Sequence, residues 1–307
     1  MRVRILGSAA GGGLPQWNCR CTNCDCVRAG SDEIDARTQS SVAVSADGEA
    51  WYLLNVSPDI RQQILKTPGL VPRGRGERLT AIVGCVLTDA EIDHTSGLFF
   101  LREGCSFPIL STPVVHHWLA KHLPIEPVLS SFARRPWSDL LIGAKQELLL
   151  PSGQKSGLEV RAFELDPHVP RFVKEDLSSA DGSVIGLEII AKRTGKKLVY
   201  APCVGSIRPS LIAATKDADT LLMDGTFWTD DEPIRFGFSE NTARKMGHLP
   251  VDGDGGSLRW LAQIAINRRV YVHINNTNPM LNRSNPEYHL VRKSGVEVGA
   301  DGDCFEV

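Results

Sequence analysis

The sequence lacks any apolar run approaching the roughly 20 residues that a membrane-spanning helix requires. Its opening, Met1-Arg2-Val3-Arg4-Ile5-Leu6-Gly7, is too briefly apolar for a secretory leader. Neither charge sign is in excess: 34 basic residues face 36 acidic ones, mixed along the chain, for a net charge of −2. That balance excludes the basic footprint of a nucleic-acid binder and the cationic face of a membrane-surface protein. Internal repeats and low-complexity tracts are missing as well. These absences predict a soluble cytoplasmic protein with no nucleic acid and no membrane among its partners. Cysteine is not scarce, but four of the eight residues fall between positions 19 and 26. In a reducing compartment such crowding points to metal rather than to disulfides.

What is present suits one large globular domain, residues 1–307, with 42% hydrophobic and 23% charged residues and a core buried from two sides. Short apolar runs predict strands at Val3–Leu6, Ser41–Val44, Trp51–Val56, Ala81–Leu87 and Pro108–Leu110. Further runs are Leu158–Phe163, Val184–Ala191, Lys197–Ala201, Thr220–Met223 and Val270–Ile274. Helical spacing appears at Asp59–Lys66, Pro113–His122, Ser210–Thr215, Ser257–Asn267 and Asn285–Lys293. Strands lead each half and then alternate with helices. This predicts an α/β fold of two face-to-face sheets with helices outside, a four-layer αββα sandwich. Pro72–Arg78 and Arg171–Ser183 read as surface loops. Thr226–Ser239, with four aromatic residues, is either a flap over a site or a loop packed on the surface.

The strongest local signal is Thr88-Asp89-Ala90-Glu91-Ile92-Asp93-His94, just past the apolar run Ala81–Leu87. An acidic turn capping a helix, with Asp93 as N-cap, would explain it blandly. Yet Asp89, Glu91 and Asp93 alternate and would crowd like charges, a repulsion that a bound cation relieves. The second signal is Cys19-Arg20-Cys21-Thr22-Asn23-Cys24-Asp25-Cys26. Spacings of one and two residues let a tight loop wrap thiolates around a tetrahedral ion, and closed thiolate sites are usually structural zinc. Gly11-Gly12-Gly13 lacks the Lys-Ser/Thr of a phosphate-binding loop and reads as a turn that positions the cysteines. His116, His117, His122 and His289 lie on predicted outer helices and read as structural or solvated. Cys85, Cys105 and Cys304 read as ordinary buried or surface residues.

The acidic segment resembles the metallo-β-lactamase superfamily signature His-x-His-x-Asp-His-x-x-Gly-Leu, with Asp89 and Glu91 replacing the first two histidines. Within that superfamily the chain is similar to the family of coenzyme PQQ synthesis proteins B. Leu6–Cys19, Met223–Trp228 and Met246–Pro250 carry this likeness, which extends over most of the chain. The resemblance implies ligand positions one at a time. Those of the first metal are Asp89, Glu91 and His168, and those of the second are Asp93, His94 and His273. The bridging aspartate corresponds to Cys203 or, after the next strand, to Asp224. His248 matches a histidine near the site in phosphodiesterase-like relatives, as a ligand or a general acid/base; a surface histidine is the plain alternative. Those relatives complete their cysteine loop with a histidine three residues after the late metal-site histidine. Cys19, Cys21 and Cys24 match, but that position is Asn276, so Cys26 is the replacement candidate.

The retained set of two histidines and a carboxylate is the facial triad of non-haem Fe(II) oxygenases. Asp89 and Glu91 make the other position harder and more anionic. Both disfavour zinc and the generation of a metal-bound hydroxide near neutral pH. The family resemblance implies a role in making pyrroloquinoline quinone (PQQ) from linked Glu and Tyr side chains of a ribosomal peptide. It further implies hydroxylation of the tyrosine ring, dependent on Fe(II) and molecular oxygen, on a dipeptide-like precursor. Asp93, His94 and His273 would hold the iron. Asp89, Glu91 and His248 would take catalytic parts, with His168 as a variable ligand. Arg208 and Arg235 are candidates for substrate carboxylates, and a homodimer is compatible with this reading. Two rival functions stay open: a metal-dependent ester or phosphodiester hydrolase, and a non-catalytic carrier of PQQ or its precursor.

Overall fold

The computed structural model describes residues 1–72, 74–173 and 180–307. Parts of the two predicted surface loops, at 73 and 174–179, lie outside the described residues. Two seven-stranded sheets form the centre. The first contains β1 (Arg2–Gly7), β2 (Ser41–Ser45), β3 (Trp51–Leu54), β4 (Ile82–Val86), β5 (Ile109–Ser111) and β6 (Trp137–Asp139). In the second lie β7 (Lys145–Leu149), β8 (Lys155–Glu164), β9 (Ile185–Ala191), β10 (Lys197–Ala201), β11 (Thr220–Asp224), β12 (Arg268–Val272) and β13 (Glu297–Val298). The last strand, β14 (Cys304–Glu306), returns to pair with β1 at the edge of the first sheet.

Strand alternation explains the four layers. Tyr52 and Leu54 of β3 point between the sheets, where they meet Leu187, Ile189, Leu198 and Tyr200. Their neighbours Trp51 and Leu53 point the other way, to Ile60, Val115 and Trp118. That outer layer is built by α2 (Ile60–Lys66), α4 (Pro113–Lys121) and α5 (Ile125–Ser130). On the far side, Val199, Leu221 and Met223 face Leu211, Leu258 and Val291, carried by α6 (Pro209–Thr215), α8 (Ser257–Leu261) and α9 (Pro286–Lys293). Three further helices sit in loops: α1 (Thr22–Arg28), α3 (Ile92–Thr95) and α7 (Glu232–Arg235). The observed architecture is the predicted αββα sandwich. None of the described helices is long and apolar enough to cross a membrane.

Two strands, β3 and β12, stop two residues earlier than their apolar runs predict, and backbone geometry gives the reason. Asn55 and His273 adopt positive φ, 60° and 55°, which breaks the extended path after Leu54 and Val272. The predicted helix Ser257–Asn267 ends at Leu261. Strands β3–β6 and β10–β13 pair in parallel. The carboxyl ends of β4, β10, β11 and β12 therefore supply the loops from which the centre below is made.

Candidate metal centre

Past β4 the chain buries an aspartate and a histidine together. Asp89 accepts from the Thr88 hydroxyl at 2.7 Å and from the Glu91 amide at 3.0 Å. His94 Nδ1 lies 2.8 and 2.9 Å from the two Asp89 oxygens. An ionised carboxylate only accepts, so Nδ1 carries a hydrogen, and in the neutral imidazole Nε2 is the nitrogen that presents a lone pair. That Nε2 is buried with no hydrogen-bond partner and stands 3.8 Å from Asp93 Oδ2. The single turn of α3 turns Asp93 and His94 inward. Its N-cap is Glu91, not the Asp93 of the capping alternative.

From the second sheet comes His273, whose Nε2 is 3.3 Å from Asp93 Oδ2. Its Nδ1 lies 2.8 Å from Thr226 Oγ1, which makes a 2.5 Å bond to Asp224 Oδ1. The carboxylate takes the hydroxyl hydrogen, so Thr226 accepts from His273 Nδ1, and Nε2, which faces Asp93, gives its lone pair once its own proton is displaced. Cys203 completes the floor: its sulfur and donor nitrogens of His94 and His273 lie within 4.8 Å of one another. One carboxylate, two imidazole nitrogens and one thiol thus converge on a common space, and a buried, bare Nε2 there fits a metal ion.

The charges agree with that fit. Burial opposes the ionised form of Asp93, but His94 and His273 outweigh it and hold the carboxyl well below its usual range. Burial also opposes protonation of His94, yet Asp89 and Asp93 push it up to about 9. The Cys203 thiol is driven well up by burial and by Asp89, Asp224, Asp93 and Glu91. In metal-free protein a proton on His94 supplies the positive charge that a metal ion would supply instead.

Asp224 is held by a dense set of donors. It accepts from the Val204 and Thr226 amides at 2.8 and 2.9 Å, from Thr226 Oγ1 and, at 2.7 Å, from His248 Nδ1. Four donors use its acceptor directions and make it a support for His248, and with His248 and His273 it also forms a group whose donor atoms lie within 4.8 Å of one another, close enough to hold a metal ion. Thr226 Oγ1 links the three, lying 3.1 Å from His248 Nδ1 and 2.8 Å from His273 Nδ1. Beside them, His168 Nε2 lies 3.6 Å from Glu91 Oε1. Burial, then Asp89 and Asp93, pushes Glu91 up to about 7.

Asp89, Glu91, Asp93, His94, His168, Cys203, Thr226, His248 and His273 open into a cavity of about 1420 Å³, also lined by Phe227, Phe236, Phe238, Arg20, Arg171 and Lys245. Thr226–Ser239 therefore contributes an aromatic wall, Phe236 and Phe238 being exposed. The two arginines proposed from sequence are elsewhere. Arg208 bonds the Leu165 carbonyl at 2.7 Å and Arg235 lies over the Phe236 ring, neither among the lining residues. The basic lining residues escaped the sequence reading because distant loops bring them to the mouth. Among the outer histidines, His116 bonds Glu126 at 2.9 Å and stacks on Trp137, in keeping with a structural part.

The cysteine loop forms another wall of the cavity. Sulfurs of Cys19, Cys21 and Cys24 lie within 4.8 Å of one another, and all eight cysteines are free thiols. Cys26 is not in that group, although all four cysteines of the segment adjoin the same outer core. The Asn276 side-chain nitrogen instead lies 3.1, 3.5 and 3.3 Å from the sulfurs of Cys19, Cys21 and Cys24. Amides of the glycine run bond within the chain, Gly12 to the Gln39 side chain and Gly13 to the Ala10 carbonyl.

Comparison with known proteins sets this geometry in context. A family model described as a beta-lactamase superfamily domain matches residues 50–274. Coenzyme PQQ synthesis protein B of Azoarcus sp. (strain BH72) is 44% identical over 305 residues, covering 98% of each chain. Its counterpart in Pseudomonas putida (strain W619) is 43% identical over 308 residues, covering 100% of both. Among solved structures, Zn(2+)-bound PqqB from Methylobacterium extorquens superposes with a TM-score of 0.90 at 40% identity, covering 100% of both chains. A diphosphatase of the PhnP family matches with a TM-score of 0.68 at 19% identity, covering 100% of this chain and 97% of its own, which speaks for the fold alone.

Proposed function

The chain belongs to the coenzyme PQQ synthesis protein B family of the β-lactamase superfamily, and from that premise we propose that it hydroxylates a tyrosine-derived precursor of PQQ at an Fe(II) centre. The observation that carries this reading is the convergence of Asp93, His94 and His273, with both imidazoles prepared to give Nε2. Two imidazoles and one carboxylate suit Fe(II) and leave positions for other ligands. Fe(II) held there supplies oxygen activation, which redox-inert zinc does not. The family likeness to a Zn(2+)-bound relative supports metal binding by this fold.

The chain's own residues have distinct tasks in this proposal. Asp89 and Thr226 orient the two ligand imidazoles. His248, held at Nδ1 by Asp224 and lining the cavity, takes the phenolic proton of the substrate ring at Nε2. Phe227 and Phe238, with ring centroids 6.1 Å apart, give the aromatic ring an apolar wall. Arg171 and Lys245 are lining cations suited to the substrate's carboxylates. One oxygen atom enters the ring and the other leaves as water, with two electrons from an added reductant. The cysteine loop holds zinc for structure, and the protein works in the cytoplasm.

An isotope experiment tests the reaction. Fe(II)-loaded protein, with ascorbate and ¹⁸O₂, should place label in a tyrosine-derived precursor, and zinc-loaded protein should be inert. Turnover by the zinc form without oxygen would overturn the proposal in favour of a hydrolase. Binding without turnover in every metal form would favour a carrier.

A further inference from the structure

We infer that Asn276, not Cys26, is the fourth ligand of the cysteine site, and that zinc bound there steadies His273 of the neighbouring centre. The inference rests on the reading that Cys19, Cys21 and Cys24 hold zinc. Zinc–sulfur bonds of about 2.3 Å set tetrahedral sulfurs about 3.8 Å apart, a spacing within the 4.8 Å spread of these three thiols. One side-chain atom of Asn276 is nearly equidistant from all three sulfurs, at 3.1 to 3.5 Å. That is the position of a fourth apex.

Cys26 is directed elsewhere by its helix. It follows Cys24 by two positions in α1, and residues two apart project to nearly opposite sides of a helix. Cys24 is fully buried among the sulfurs of Cys19 and Cys21, and Cys26 lies outside that group.

Chemistry decides which amide atom would face the ion. Against three thiols the nitrogen donates hydrogen bonds, as seen here. An amide nitrogen has no lone pair to give a cation, whereas the amide oxygen does, and a half-turn about the terminal torsion exchanges the two. The resulting set is three thiolates and one neutral oxygen, a weaker fourth ligand for zinc than the imidazole of the phosphodiesterase-like relatives.

Asn276 is three residues beyond His273, and the segment between them is tethered to the cysteine helix. Asn23 donates to the carbonyls of Asn276 and Asn278, both at 2.9 Å. His273 has φ of 55°, a conformation that non-glycine residues keep only where their surroundings enforce it. Zinc that pins the Asn276 side chain therefore narrows the freedom of the backbone carrying His273, and occupancy of the cysteine site raises affinity at the centre.

Full-length Asn276→Ala, Asn276→His and Cys26→Ser proteins separate these claims. Zinc affinity is read by competition with a chromophoric chelator, and Mn(II) affinity at the centre by the electron paramagnetic resonance of free Mn(II). Asn276→Ala should lose zinc affinity by at least the about tenfold typical of losing even an outer partner of a metal site. Its Mn(II) affinity should fall as well. Asn276→His should recover both, with a changed Co(II) spectrum, and that recovery excludes misfolding as the cause. Cys26→Ser should match the parent. Zinc loss in Cys26→Ser, or none in Asn276→Ala, overturns the ligand assignment. Unchanged Mn(II) binding in zinc-depleted Asn276→Ala overturns the coupling. No zinc on the parent, or none lost in Cys24→Ser, overturns the underlying zinc reading instead.

Discussion

One nitrogen atom illustrates how side chains outside the ligand set act on the centre. When His94 is neutral its Nε2 has a lone pair because Asp89 holds the hydrogen at Nδ1, and Thr226 does the same for His273. Ligands and their supports should then differ in the size of their effects. In anaerobic Fe(II) titrations, Asp93→Ala and His273→Ala should abolish binding, since each removes one of three donors. Asp89→Asn and Thr226→Val leave the donors in place and should cost roughly 10- to 100-fold in affinity. Glu91→Ala should weaken binding less than Asp93→Ala. Total loss in Glu91→Ala would instead put that carboxylate among the ligands. Asp89, Glu91, Asp93 and their crowding were legible in the sequence because they fall within five residues. Thr226 was not, because the two imidazoles it contacts, His248 and His273, lie 22 and 47 residues further along the chain.

At the scale of elements, the apolar central strands were legible and the edges were not. Strand β7, Lys-Gln-Glu-Leu-Leu, lies at one sheet edge with one buried residue and has no clear alternation. Strands β6, β13 and β14 are two or three residues long and also end their sheets, too short to show a period. The cysteine segment read as a loop, yet from Thr22 onward it is helix α1. That helix carries Cys24 and Asn23 inward and needs its thiol cluster to stay in place. Burial pushes the Cys21 thiol up to about 12, so zinc must displace protons to bind. Substituting Cys21 or Cys24 by serine should release one zinc equivalent, by elemental analysis, and lower the melting temperature. Unchanged zinc and unchanged melting would remove the structural role of the ion.

The whole molecule is tied together at the centre, because its donors come from both sheets. Asp93 and His94 follow β4 of the first sheet, while Cys203 and His273 follow β10 and β12 of the second. A cation between them joins the two halves of the sandwich, and without it the proton on His94 takes that part. An imidazole that binds its proton more tightly in the folded chain contributes stability only while that proton is on. For His94 the contribution is complete below the unfolded value near 6.5 and is gone above about 9. Glu91, raised to about 7 chiefly by burial, acts with the same sign: its contribution is complete below the unfolded value near 4.5 and is lost through pH 7. The His94 shift alone corresponds to on the order of 3 kcal/mol. Metal-free protein should therefore melt several degrees lower at pH 9 than at pH 6. Metal-loaded protein should show a flatter profile over that range, since the ion replaces the titrating proton and offsets the charge of Glu91. Calorimetry of both forms across this window measures the difference. Parallel profiles would mean that no ion bound at this centre joins the two sheets.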